Sequence, residues 1–182
     1  MSDIFFGIQV AVQSPPGDSW RERLCSLVRR HQRDLRVDDK RGLYGAVINL
    51  LQQMPGRLSL GFWDFIPDGK NDFDEWASGL EDDAQETWAP DRGAVMDHVL
   101  VTMIFLLPED GSSAELVGQR CDLPETDWMT LATFQRLFET VGMLRFASVR
   151  QDGLYVTPGG LDVAFSLREL QTEGYDYLLP IA

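Results

Sequence analysis

The segment at residues 95–108, VMDHVLVTMIFLLP, decides the fold. Its residues 99–107 are almost uninterrupted apolar side chains, so both alternating faces of a strand there would be greasy, the mark of a position inside a sheet. The run is about half of the roughly 20 apolar residues that a membrane-spanning helix requires. A central strand is the expectation, and everything else in the chain must supply its neighbours and its two covers.

Working outward, the amino-terminal IFFGIQVAV is rich in β-branched and aromatic residues and ends in the breaker SPPGD, which predicts a first strand. SWRERLCSLVRRHQRDLR follows, with Ser19 and Glu22 spaced as a capping box. Trp20, Leu24, Leu27, Val28, His31 and Leu35 recur on one face of a helix there, and Arg21, Arg29, Arg30, Arg33 and Arg36 lie mostly off it. His31 on that stripe reads as a core-edge histidine. VDDKRGLYGAVINLLQQMPG predicts a second helix with Leu43, Val47, Leu50, Leu51 and Met54 inward and a Pro55-Gly56 stop. RLSLGFWDFIPDG reads as an extended or irregular segment that packs Phe62, Trp63 and Phe65 on the core.

Residues 65–88, FIPDGKNDFDEWASGLEDDAQETW, hold eight of the chain's 29 acidic residues. Phe73, Trp76, Ala77, Leu80, Ala84 and Trp88 recur at helical spacing, and Asn71 or Asp72 with Glu75 fits a helix start, where negative charge is favoured. Beyond the central strand, EDGSSAELVGQRCDLPETDW reads as a loop with a short strand near residues 115–117. MTLATFQRLFETVG predicts a helix with Leu131, Phe134, Leu137, Phe138 and Val141 inward and Gly142 as its stop. MLRFASVRQDGLYVTPGG reads as two strands about a Gln151-Asp152-Gly153 turn, and Ser166 with Glu169 forms a further capping box. The order of elements predicts a single α+β domain over residues 1–182, a mixed or antiparallel sheet of about four strands with four to five helices.

Composition narrows the function classes. The 44% hydrophobic and 25% charged fractions are those of a folded chain. The net charge of −13 is asymmetric: residues 1–60 carry nine Lys/Arg against six Asp/Glu, and residues 61–182 carry seven against 23. Such a field repels phosphate backbones, which argues against nucleic-acid binding. The start carries Asp3 where a secretory leader would carry a basic residue, so a cytoplasmic address is the default. Cys25 and Cys121 are too few for a disulfide framework and read as reduced structural thiols, with His31 and His98 the only bases of their kind.

The motifs that would announce chemistry are missing. An EF-hand loop begun at Asp68 places Lys70 at a ligand position, Phe73 where glycine is required and Gly79 where the bidentate glutamate belongs. Cys25, His31, His98 and Cys121 lack the paired short spacing of a zinc site. There is no phosphate loop, nucleotide fingerprint or serine elbow, and therefore no cofactor is expected. The carboxylates Asp72 and Asp74, or Glu81 with Asp82 and Asp83, could divide acid and base work only if burial separated their pKa values. Trp63, Phe65, Trp76 and Trp88 read as core aromatics that would become a docking patch if exposed beside the acids.

RGLYGAVINLLQQMPGRLSLGF, HVLVTMIFLL and the tail LRFASVRQDGLYVTPGGLDVAFSLRELQTEGYDYLLPI together resemble the fluctuating-light-acclimation protein family, a plastid and bacterial family of unknown biochemical function. The resemblance implies a compact α+β domain in regulatory or adaptor use, as a member without the family's membrane segment. Two departures stand: Tyr155 and Val156 precede Thr157-Pro158 where the family has Trp, and its glycine-rich anchor region has no counterpart. No catalytic residue follows from it. The leading expectation is a non-catalytic interaction domain that uses Glu81, Asp82, Asp83 and Glu86 as an acidic face for a protein partner with a basic surface. The alternatives are an acidic inhibitor or immunity protein for a basic toxin or nucleic-acid-binding enzyme, and a carboxylate- or metal-dependent enzyme.

Overall fold

A computed structural model of the chain describes residues 2–31, 35–85, 94–172 and 174–182, and of residues 30, 31 and 82–85 the backbone alone. The amino-terminal apolar run forms β1 (Asp3–Gln13), and the deciding segment forms β3 (Met96–Pro108), both buried along nearly their whole length. They pair antiparallel from Asp3 opposite Pro108 to Gln13 opposite His98. Between them in sequence lie α1 (Ser19–His31), α2 (Val37–Gln52), β2 (Leu58–Ile66) and α3 (Lys70–Gln85). After β3 come α4 (Ser112–Cys121), α5 (Leu131–Met143), β4 (Gln151–Thr157), β5 (Phe165–Ser166) and β6 (Leu179–Pro180).

Among the described residues the fold is α+β, with five α-helices and an antiparallel sheet of six strands rather than about four. The sheet runs β4-β3-β1-β2-β6, with β5 attached to β3. The two extra strands, β5 and β6, are two residues each, too short to show as alternation in sequence.

Alternation in β1 and β3 sends side chains to two different cores. Phe6, Ile8 and Val10 with Val101, Met103 and Phe105 meet the buried faces of α1, α2, α4 and α5, including Leu24, Tyr44, Val117 and Phe138. On the opposite face, Phe5, Ile104 and Leu106 lie under Phe73 and Leu80 of α3. Ala11, Leu60 and Leu100 lie under Phe165, Leu170, Tyr175 and Leu178 of the carboxy-terminal segment. The sheet is thus a filled middle layer, and burying each large aliphatic or aromatic side chain there contributes about 1.5–3 kcal/mol.

Local signals held unevenly. Thr130 caps α5, accepting from the Thr133 N–H at 3.2 Å, and Phe134, Leu137, Phe138 and Val141 point inward; the helix runs one residue past Gly142. Glu169 accepts from the Ser166 N–H at 2.6 Å while Ser166 Oγ accepts from the Glu169 N–H, a complete capping box on a single 3-10 turn. At α1 the cap is Asp18 rather than Ser19: its Oδ1 accepts from the Trp20 N–H at 3.0 Å, and Arg57 pairs with its other oxygen.

Three expectations are corrected. The strand expected near residues 115–117 is the middle of α4, whose Ala114 and Val117 are buried at helical spacing. Residues 144–157 are one 3-10 turn and one strand, because Gly153 lies inside β4 and not in a turn. A Cβ there would stand 2.5 Å from the Tyr155 ring and 2.9 Å from Ile104 Cγ1, so a larger residue would force those side chains to move. Arg21 does not lie on the solvent side of α1: it is fully buried, and its Nη2 donates to the Gly160 and Val163 carbonyls, tying α1 to the segment after β4.

Candidate functional site

The acidic stretch forms α3 as expected, with Phe73 and Leu80 buried and Trp76 ring-packed 5.2 Å from Phe5. The helix begins at Lys70, ahead of both expected caps, Asn71 and Asp72, because the Gly69 carbonyl already accepts from the Phe73 N–H. Asp72 therefore sits inside the first turn. α3 crosses the sheet: Asp72 raises the pKa of Asp64 on β2, whereas Glu81 acts on Tyr155 of β4. Of the expected partner residues, Glu81 is exposed on α3, Asp82 and Asp83 have backbone positions there, and Glu86, like Trp88, lies outside the described residues. The side chain of His31 also lies outside them.

A different site forms where the sheet runs out of strands. β6 pairs with β2 only at Leu60 opposite Pro180 and Gly61 opposite Leu179, and the Ile181 N–H donates to the Ser59 carbonyl at 3.1 Å. Strand periodicity aims the amides and carbonyls of Trp63 and Phe65 at that same edge. Among the described residues no strand meets them, because Thr172 and residues 174–178 turn away: the Tyr175 N–H donates to the Thr172 carbonyl and the Leu178 N–H to the Tyr175 carbonyl. Tyr177 is drawn over the other face, where its hydroxyl donates to Gln9 Oε1 at 2.7 Å.

On its far side β6 is held by the segment that enters α5. The Ala182 N–H donates to the Met129 carbonyl, and the Leu131 N–H to the Ala182 carbonyl, both at 2.9 Å. Where β6 stops, the space between β2 and this segment opens into a groove of about 810 Å³. Trp63, Asp64 and Phe65 of β2 form one wall, and Cys121, Asp122 and Trp128 stand opposite. Trp63 Nε1 donates to the Trp128 carbonyl at 2.9 Å, and the two indoles meet edge to face at 5.9 Å. Trp128 is still 42% exposed, and Leu179, at the end of the groove, 48%.

The groove's charge has one sign. Asp64, Asp122 and Glu125 line it, and none of its lining side chains is a lysine or arginine. Asp64 Oδ1 accepts from the Phe65 N–H at 2.8 Å, so a carboxylate occupies an edge amide that a strand would otherwise take. Burial pushes the Asp64 carboxyl above its usual range, the Phe65 N–H pulls it part of the way back, and the charge of Asp72 adds to the rise. Burial also pushes the Cys121 thiol up to about 12, against a smaller pull from Arg136, so it is a thiol and not a nucleophilic thiolate at neutral pH. His98 lies outside the groove, 5% exposed, with Nδ1 2.7 Å from Asp97 Oδ1. Among the described residues no group of three or more His, Cys, Asp or Glu is placed to hold a metal ion, and no helix is long and apolar enough to cross a membrane.

Comparison of the chain with protein-family models, with curated proteins and with solved structures returns no match. The site must be read from its own geometry. Sequence reasoning had singled out Trp63 and Phe65 but passed over Asp64, Asp122, Glu125 and Trp128. One signal was available: a charged residue inside the aromatic run GFWDFI marks a strand at a sheet edge, where a carboxylate discourages uncontrolled pairing.

Proposed function

We propose that this protein is a non-catalytic interaction domain that docks a protein partner with a basic surface in the groove beside β2. The observation that carries the reading is the groove itself, in which half-exposed Trp128 and Leu179 adjoin three carboxylates and no cation. Aromatic side chains at the centre of a concave, partly apolar surface are the usual anchors of an interface, and one-signed charge around them selects and steers the partner. The state of the likeliest chemical groups supports a binding role over a catalytic one, since Cys121 is held protonated and the Asp64 carboxylate is engaged by a backbone amide.

The acidic end of α3 has a separate part in this reading. Glu81 lies toward Tyr155 of β4 and outside the groove lining, and in this reading the acidic stretch Glu81, Asp82, Asp83 and Glu86 contributes long-range attraction rather than contacts. The adaptor or regulatory use implied by the resemblance to the fluctuating-light-acclimation family agrees with a domain of this kind. The test is capture from the native cell with the full chain and two variants. Trp128→Ala should abolish retention of the specific partner at any salt concentration. Joint neutralisation of Glu81, Asp82, Asp83 and Glu86 should weaken capture mainly at low ionic strength, where screening is least. Identical capture profiles for wild type and Trp128→Ala would overturn the reading.

A further inference from the structure

The mode of docking is written in the edge of β2, and the inference rests on the groove being the binding surface. We infer that β2 is a strand acceptor: an extended basic segment of the partner adds antiparallel to β2 at Trp63 and Phe65, in line with β6 and running in its direction. The β6 ladder ends at Leu179 opposite Gly61, so the next outward-facing positions of β2 continue a register that the chain itself abandons. No backbone partner across that edge takes the amides and carbonyls of Trp63 and Phe65 among the described residues, and the groove runs alongside them. Strand addition of this kind draws affinity from main-chain hydrogen bonds and specificity from alternating side chains.

The alternation can be read from this site. Trp63 and Phe65 project to the helix side of the sheet, toward Trp128 and Cys121, so partner residues opposite them enter the groove as apolar side chains. The partner residue opposite Asp64 projects to the other face, where a lysine or arginine meets the carboxylate. The pattern is apolar, basic, apolar across Phe65, Asp64 and Trp63, with Asp122 and Glu125 as further acceptors for flanking basic residues. Asp64 then has two states: in the free protein it accepts from the Phe65 N–H, and in the complex a partner carbonyl replaces it there while the carboxylate turns to the basic side chain. The swap keeps both groups satisfied and penalises a partner that lacks the cation.

Selection of short random peptides displayed as a library on the full chain, with counter-selection on Trp128→Ala, tests this. The enriched peptides should alternate apolar residues with Lys or Arg, and the tightest of them should slow hydrogen exchange at the Trp63 and Phe65 amides. Backbone N-methylation at the peptide positions facing β2 should weaken binding roughly tenfold or more, and the same change at the alternate positions should have little effect. Asp64→Asn, which keeps an acceptor for the Phe65 N–H, should retain the alternation and lose the preference for basic residues. Peptides that bind the groove with no change at the two amides, and tolerate either methylation, would leave groove docking standing and overturn strand addition. Protection of those amides at high protein concentration without peptide, together with dimer formation, would assign the edge to a second copy and overturn the inference, as would enrichment of acidic or non-alternating peptides or of none.

Discussion

The two ends of β2 share one strand and one sheet edge, and they are finished in opposite ways. From Ser59 to Gly61 the edge is closed by β6 and Ile181, and the adjoining Ala182 is itself bonded to Met129 and Leu131, so that half belongs to the framework. From Phe62 to Ile66 the edge has no strand beside it among the described residues, and its protection is a single carboxylate folded onto the Phe65 amide. An unpaired edge is an aggregation hazard that proteins blunt with charge, twist or cover. Here the charged device is one side chain, and it sits beside a groove. That combination is what the proposed strand addition would use.

Substitutions can separate the halves. The largest effect belongs under the closed half: Phe134 is fully buried with its ring against Gly61, and Phe134→Ala should destabilise the fold by about 3–5 kcal/mol in denaturant unfolding. Deleting Leu179–Ala182 removes the Ile181–Ser59, Ala182–Met129 and Leu131–Ala182 backbone hydrogen bonds together with the pairing of β6 on β2, and should cost about 2–4 kcal/mol, with faster exchange reaching the amides of Gly61 and its neighbours. Thr130→Ala uncaps α5 and should cost about 1 kcal/mol. Asp64→Asn in the open half should change stability by less than about 0.5 kcal/mol while altering partner choice. A large loss of stability in Asp64→Asn would make the open half framework too, and erase the contrast.

Cys121 offers a test by pH. In the unfolded chain a thiol ionises near roughly 8.5, whereas in the folded protein burial holds Cys121 to about 12. Between those values the folded state binds more protons than the unfolded state, so stability is full below the lower value and falls as pH rises toward the upper one. Native-state alkylation of Cys121 should be negligible at neutral pH and should climb only in the same alkaline window. Rapid alkylation at neutral pH would mean that the groove wall is more open than its geometry states.

What could be read in the sequence was whatever a local pattern controls. The two-sided apolar run of β3, the stripes of α2, α3 and α5, and the box at Ser166 follow from residues a few positions apart. What could not be read depended on contacts between distant segments. Gly153 looks like a turn residue until Ile104 is placed beside it, and Arg21 looks like surface until the carbonyls of Gly160 and Val163 converge on it. The groove is of this second kind. Its walls come from β2, α4 and the approach to α5, and its length is set by where the β6 ladder ends at Leu179. The acid-rich stretch drew attention because charge density is a local property, whereas Asp64, Asp122 and Glu125 gather only in the fold.

The position of β1 has a consequence for how the chain acquires its structure. It precedes both of its neighbours, β2 and β3, along the chain, and its longest ladder joins Phe6 to Phe105. Pairing across such separations is slow, since a long loop must close before any contact rewards it. Until β3 has left the ribosome, IFFGIQVAV is an unsheltered segment with the composition that aggregates most readily. α1 and α2 can form meanwhile from local contacts and offer Leu24, Val47 and Leu51 as a temporary apolar surface.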